Sequence, residues 1–473
     1  MWSALKEVPD LQCAWQLLLQ CAGPRANHLL RTLPPSQSST YAAAHDEGMW
    51  NTALKVLGGV SSDPDSMCMA ARLATLPLRL GGLGLRSASR TAPAAYWASW
   101  ADALPMVKAR APGVAADCVA ALNTHAQQSG CLAEARDAGE LLTRKGFLQR
   151  PSWQDLLDGQ RPPAVQLAEP GEWKHGWQYI ASSTLEHHFR RDAVIAQSSL
   201  ADRAHLRSHS GRYAGVALSG APTAPEFTLD ALEYRTLLLE RLRLPLPLAA
   251  ASCEGCGGSV DARGRHYASC TASGRVKKRA AAPEQAVARI CREAGAAVKC
   301  NVFLRDLNVG AAAGDGRRLE VLAQGLPLRG GKQLAVDVTL RSVLAADGTA
   351  HSRAAVEDGV VAARARKDKE DTYPELVVAS RCTLVVVAIE TGGRWADEAA
   401  DFVGELAYAR AREAQPLVRA AAALAWMRRW SRLLGTACAR AFAQSLVAPA
   451  TAATTASHDG SAPPLSVLLD GRG

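Results

Sequence analysis

The sequence predicts an α+β protein with a mostly helical N-terminal half, a small cysteine/histidine module and a C-terminal α/β domain built on a mixed central sheet. Three observations carry this. Apolar residues recur at helical spacing through the first 250 positions. Three cysteines and a histidine crowd into the window 253–270. From residue 283 onward, helical segments alternate with short β-branched runs. At 473 residues the chain is too long for one ordinary core. The same pattern shifts divide it into 1–110, 111–250, 251–280, 281–447 and 448–473.

Within 1–110, the run Leu11–Leu19 has helical spacing and stops at Gly23-Pro24, and STYAAAHDEGMWNTALKVLGG is a second helix closing on a glycine pair. LATLPLRLGGLGLRS is an apolar ribbon broken by Gly81, Gly82 and Gly84, read as a loop on a core ahead of the helix APAAYWASWADAL. In 111–250, helical pieces such as Glu134–Leu148 alternate with Pro-containing linkers, Leu200–Ser210 is rich in Arg and His, and Leu237–Leu248 reads as a helix entering the next module. In 281–447 the expected order is helix Glu284–Ala294, strands Val298–Leu304, Leu319–Ala323 and Gln333–Leu340, and helix Ala354–Asp371. Strand Thr383–Ile389 and helices Ala396–Ala414 and Leu417–Val447 complete it. The last strand is apolar throughout, as suits a central strand covered on both faces. The low-complexity tail from Ala448 is expected to be disordered.

A 48% hydrophobic and 21% charged composition fits a folded globular chain and excludes a disordered one. The net charge of +9 favours a polyanionic partner. No apolar stretch is long enough for a membrane span. Lys6, Glu7 and Asp10 occupy the place of a signal peptide's apolar run, so an intracellular protein is expected. Twelve cysteines, nine of them isolated, are an ordinary density for a reducing compartment.

Cys253 and Cys256 form a C-x2-C turn, and His266 and Cys270 follow with nine and three residues between. Two thiolates on a tight turn, then an imidazole and a thiolate a hairpin away, suit one structural Zn²⁺. So short a module has almost no core of its own, and metal binding would supply its folding energy. The competing reading is chance clustering in a loop. The adjacent run Arg275, Lys277, Lys278 and Arg279 is a candidate phosphate contact, with a solvated linker as its alternative and Arg203–Arg212 as a second basic stretch.

In QLAVDVTL, alternation puts Gln333, Ala335, Asp337 and Thr339 on one face. A charged Asp inside a buried strand needs a partner or a metal. Glu320 interrupts LEVLA in the same way, and a hairpin through Gly325–Gly331 would set the two carboxylates side by side, an arrangement that suits Mg²⁺. Lys367, Lys369 and Tyr373 follow on a charged helix, where a lysine could assist attack on phosphorus. A surface Glu, a paired structural Asp and a solvated lysine face are the plainer alternatives.

The order of zinc knuckle, helix, two carboxylate-bearing strands and K-x3-Y resembles the C-terminal part of non-LTR retrotransposon proteins of the restriction-like-endonuclease class. The resemblance runs from about residue 30 to 447. It implies a CCHC knuckle at Cys253, Cys256, His266 and Cys270, followed by a PD-(D/E)XK-like nuclease that nicks target DNA. It implies Asp337 as the central Mg²⁺ ligand and Lys369 with Tyr373 as the displaced lysine motif. Leu319-Glu320 stands where the family has Pro-Asp, and Glu284 and Asp306 are further acidic candidates. Residues 1–110 resemble the thumb and linker after a reverse-transcriptase palm. No Asp-Asp pair occurs in the chain, so the resemblance implies no polymerase activity. It also implies DNA and RNA as partners, a separate reverse transcriptase and a nuclear location. The alternative function is a catalytically degenerate nucleic-acid-binding remnant.

Overall fold

A computed structural model describes residues 4–60, 62–124, 130–163, 176–248 and 251–447. The expected tail 448–473 lies outside the described residues. Tertiary contacts divide the chain into two units. One holds 1–61, 71–77 and 84–197, and the other holds 62–70, 78–83 and 198–473. The main division by contacts falls near residue 197. Among the described residues no helix is long and apolar enough to cross a membrane.

The first unit is helical. Its helices include α1 (Leu11–Leu17), α2 (Pro35–Val56), α3 (Ala88–Arg110), α4 (Cys131–Arg144) and α5 (Trp177–Phe189). α3 is the axis of this unit. Its start is held by Asp46, whose carboxylate accepts from the amides of Ala88 (2.6 Å) and Ser89 (3.1 Å), as the positive end of a helix favours. Fully buried Trp97 meets Phe147 and Trp177 edge-on at 5.5 and 5.8 Å. On the opposite side an alanine seam (Ala88, Ala92, Ala95) packs on Ala26, Leu30 and Ala42, because small side chains let helices approach closely.

From residue 198 the second unit continues with α6 (Leu200–Ser208) and α7 (Ala231–Leu242). The helix expected over Leu237–Leu248 lies instead over 231–242. It ends where Arg243 turns left-handed (φ 61°), ahead of Pro245 and Pro247. Next come α8 (Ala281–Glu293), β1 (Ala297–Phe303), β2 (Arg318–Gln324), β3 (Gln333–Arg341), α9 (Val360–Thr372) and β4 (Cys382–Glu390). α10 (Asp397–Ala411) and α11 (Arg419–Val447) follow. α9 starts six residues later than expected, because Gly359 at φ 73° is the turn that admits it. The sheet order is β1-β2-β3-β4, with two antiparallel joints and a parallel β3–β4 pair. A mixed sheet in an α+β protein is thus observed. β4 is buried along nearly its whole length, as its apolar run requires, but it lies at the edge of the sheet beside β3 rather than at the centre expected for it. Ala335, Leu384, Val386 and Ala388 on the sheet share a core with Ala362 and Ala365 of α9.

Candidate functional sites

The Cys/His module closes around one point. The donor atoms of Cys253, Cys256, His266 and Cys270 all lie within 4.8 Å of one another. Cys253 Sγ is 3.9 Å and Cys256 Sγ 3.7 Å from Cys270 Sγ, and His266 Nε2 is 3.2 Å from Cys256 Sγ. Zn–S bonds of about 2.3 Å set tetrahedral sulfur–sulfur edges of roughly 3.8 Å, so these spacings suit zinc. His266 Nδ1 lies 3.0 Å from Ala346 O. A carbonyl only accepts, so Nδ1 carries the proton and Nε2 offers its lone pair to the cluster.

Burial raises the Cys253 thiol, but the amides of Gly255 and Cys256 and the His266 ring outweigh it and bring it down to about 6. The Gly258 amide lowers the Cys256 thiol, yet burial and the Cys270 and Cys253 sulfurs leave it raised. One thiolate forms readily and the next meets its charge, a conflict that a bound cation removes. Gly255 is dictated by space, since a Cβ there would sit 2.3 Å from Ala272 O. This cluster can hold a metal ion.

The module is tied into its unit by side chains. Asp202 of α6 accepts from Arg263 (2.9 Å) and Arg265 (2.5 Å), and Ser269 Oγ donates to Leu344 O. Burial would raise the Asp202 carboxyl, but Arg243, Arg263 and Arg265 together hold it well below the usual range. The four basic candidates after the knuckle separate. Arg275 is buried over the Tyr267 ring (3.9 Å) and donates to Ser445 O (3.1 Å) at the end of α11. Arg279 is buried and donates to Ala268 O (2.6 Å) and Leu340 O (2.9 Å). Both are structural, because buried carbonyls need donors. Lys277 and Lys278 are exposed. In the second basic stretch, Arg203 donates to Ser198 O and Arg207 pairs with Asp358 at 2.6 Å.

The carboxylate–lysine cluster sits on the α9 face of the sheet. Asp337 is fully buried, and Lys369 Nζ is 2.7 Å from its Oδ2. Asp337 Oδ1 has no hydrogen-bond partner. The β2–β3 ladder ends at Val321–Val336, which places Glu320 across from Asp337. There the strands part, and Glu320 Oε2 accepts from the Val338 amide at 2.9 Å, in place of a ladder bond. Burial first and then repulsion from Asp337 raise Glu320 to about 8, with Lys369 and the Val338 amide partly offsetting them. Asp337 is raised by burial against the pull of Lys369. Glu284 of α8 is also raised, by burial and then by Asp337, with Lys369 opposing, so this third carboxyl feels the same cluster.

Tyr373 is one helical turn beyond Lys369, and its hydroxyl donates to Arg318 O (2.8 Å) at the start of β2. Burial and the two carboxylates raise its phenol. Lys367 points away and is exposed. Asp306 is on an exposed turn, 3.9 Å from Arg305. Glu320, Asp337, Lys369, Tyr373 and Glu284 are thus brought together, and Lys367 and Asp306 are not. Asp337, with a buried oxygen that has no partner and a second carboxyl opposite, offers the oxygen donors that a hard cation would take.

A further cluster escaped the sequence reading. His205 and His209 meet Glu240 of α7 in the interior. The His-x3-His spacing inside the Arg/His-rich stretch was the available signal. Its carboxylate partner lies far along the chain, so spacing alone could not complete the set. The sequence matches no protein-family model and no curated protein.

Proposed function

We propose that this chain is a metal-dependent DNA endonuclease related to the C-terminal part of non-LTR retrotransposon proteins, with a PD-(D/E)XK-like nuclease domain. The reading rests on Asp337, whose buried Oδ1 lacks a partner while Lys369 holds Oδ2 and Glu320 stands opposite. In this reading Glu320 and Asp337 hold Mg²⁺, with Glu284 as a third carboxyl nearby. Bound there, Mg²⁺ would lower the pKa of a water and polarise a phosphate oxygen. Lys369 orients Asp337 and places a positive charge where negative charge builds on phosphorus. Tyr373 fixes the end of α9 against β2.

Zn²⁺ in the Cys/His module is structural, since four protein ligands leave no open position. Lys277 and Lys278 would contact the phosphates of DNA or RNA. With no paired aspartates the chain does not polymerise, and a separate reverse transcriptase in the nucleus would use the nick. The test is nicking of supercoiled plasmid with Mg²⁺. The wild type should nick, and Asp337→Asn should lose activity by about 10³-fold, the scale of several kcal/mol of metal-derived stabilisation. Equal nicking by both sinks the reading.

A second reading, a nucleic-acid-binding remnant without catalysis, is favoured by one observation. Glu320 is already engaged by the Val338 amide and Asp337 by Lys369. It predicts salt-sensitive binding with no nicking by either protein.

A further inference from the structure

His205 and His209 lie within the span of α6 and the turn closing it, their rings 4.3 Å apart. Glu240 approaches both. Its Oε1 is 2.6 Å from His205 Nε2 and its Oε2 is 2.8 Å from His209 Nε2. All three residues are at most 9% exposed.

The protons decide what this cluster is. His209 Nδ1 is 2.9 Å from His205 O, which only accepts, so Nδ1 carries a proton. A neutral His209 then points its Nε2 lone pair at a carboxylate oxygen 2.8 Å away, which is repulsive. A proton held between the two groups, or a cation shared with Glu240, makes the contact favourable. The orientation matches that of His266, whose Nδ1 is likewise held by a carbonyl while Nε2 faces the other metal donors. An imidazole fixed by Nδ1–H to a carbonyl, with Nε2 free, is the usual posture of a metal ligand.

We propose that His205, His209 and Glu240 form a second metal site, taking one divalent ion of the zinc class. Two imidazoles and a carboxylate are a recurring zinc donor set, and here the three donor atoms lie within 4.8 Å of one another. The neighbouring cation Arg241 does not occupy Glu240. Its guanidinium donates to four carbonyls, those of Leu78, Gly82, His209 and Ala214. Three protein donors leave a fourth position for water. The ion would join α6 to α7 independently of the Cys/His module.

The experiment is metal analysis and zinc X-ray absorption on the full chain, saturated with zinc and dialysed against metal-free buffer. Two zinc per chain are expected, with an averaged shell containing both sulfur and a large nitrogen/oxygen component. His209→Gln, which keeps a hydrogen-bonding side chain, should retain one zinc in a sulfur-dominated shell. Cys256→Ser should retain one in a purely nitrogen/oxygen shell. A wild-type count of one with a sulfur-dominated shell overturns the proposal and makes the contact an imidazolium–carboxylate pair. That readout needs no variant to fold. A count of one with no sulfur, lost in His209→Gln, would instead support this site and exclude the other.

Discussion

The Cys/His module and the carboxylate–lysine cluster belong to one unit and both gather ionisable groups of like charge, but they manage that charge differently. In the module each ligand atom faces the others, and His266 and Ser269 are anchored from outside by Ala346 and Leu344. In the cluster, protein groups already neutralise part of the charge: Lys369 on one oxygen of Asp337 and a backbone amide on Glu320. One oxygen of Asp337 stays without a partner. The first arrangement is a closed set of donors that could hold a metal. In the second, protein groups meet most of the charge and one buried carboxylate oxygen is left over.

The comparison can be broken most severely at the module. Cys256→Ser should abolish metal at this site and unfold residues 251–270, because metal binding worth on the order of 10 kcal/mol supplies the folding energy of so small a module. Limited proteolysis mapped by mass spectrometry would detect new cleavage there. Full protection would mean that the module folds by packing alone.

At the cluster the corresponding loss is smaller. Lys369→Met strands the buried Asp337 charge and should cost about 3 kcal/mol in urea unfolding. Adding Asp337→Asn should recover most of it, since the double variant no longer buries an unpaired charge. Additive losses would show that the two residues do not form a pair.

Without added Mg²⁺, Glu320 sharpens the contrast through pH. Its folded value, about 8, lies above the ordinary 4.5, so the folded state holds the proton more tightly than the unfolded one. The stability this gives is fully present below about pH 4.5 and is lost as pH rises through about 8. Glu320→Gln should flatten the stability curve across that window, and an unchanged slope would assign it to another group. Gentlest of all, Lys277→Ala with Lys278→Ala should lower the slope of log affinity against log salt by about 2 without changing the melting temperature. Arg275→Ala should behave oppositely, destabilising the protein because two carbonyls at the end of α11 lose their donor.

Much of this was readable from residues alone. All four strands start and end within about two residues of their expected positions, because β-branched runs bounded by turns leave little choice. The metal module was legible because its ligands are near neighbours in sequence. Lys369 was legible because K-x3-Y puts two side chains on one helical face. Arg275 and Arg279 were misjudged, since a basic run looks solvated until the carbonyls of α11 and β3 arrive from far along the chain. The His205–His209–Glu240 cluster was hidden for the same reason. It depends on which distant segments meet, and local periodicity does not encode that.

The hydrogen bond from His266 to Ala346 spans 80 residues. Closing a flexible loop of that length costs on the order of 4 kcal/mol in chain entropy. A knuckle already rigid around its metal offers β3 and its following turn a fixed landing point. A loose knuckle would have to order itself and close the loop in the same step. During synthesis the knuckle emerges before β3, so with a metal bound there its supply would decide which of these routes the nascent chain follows. The metal would then act on the tempo of folding of the sheet without touching a single residue of it.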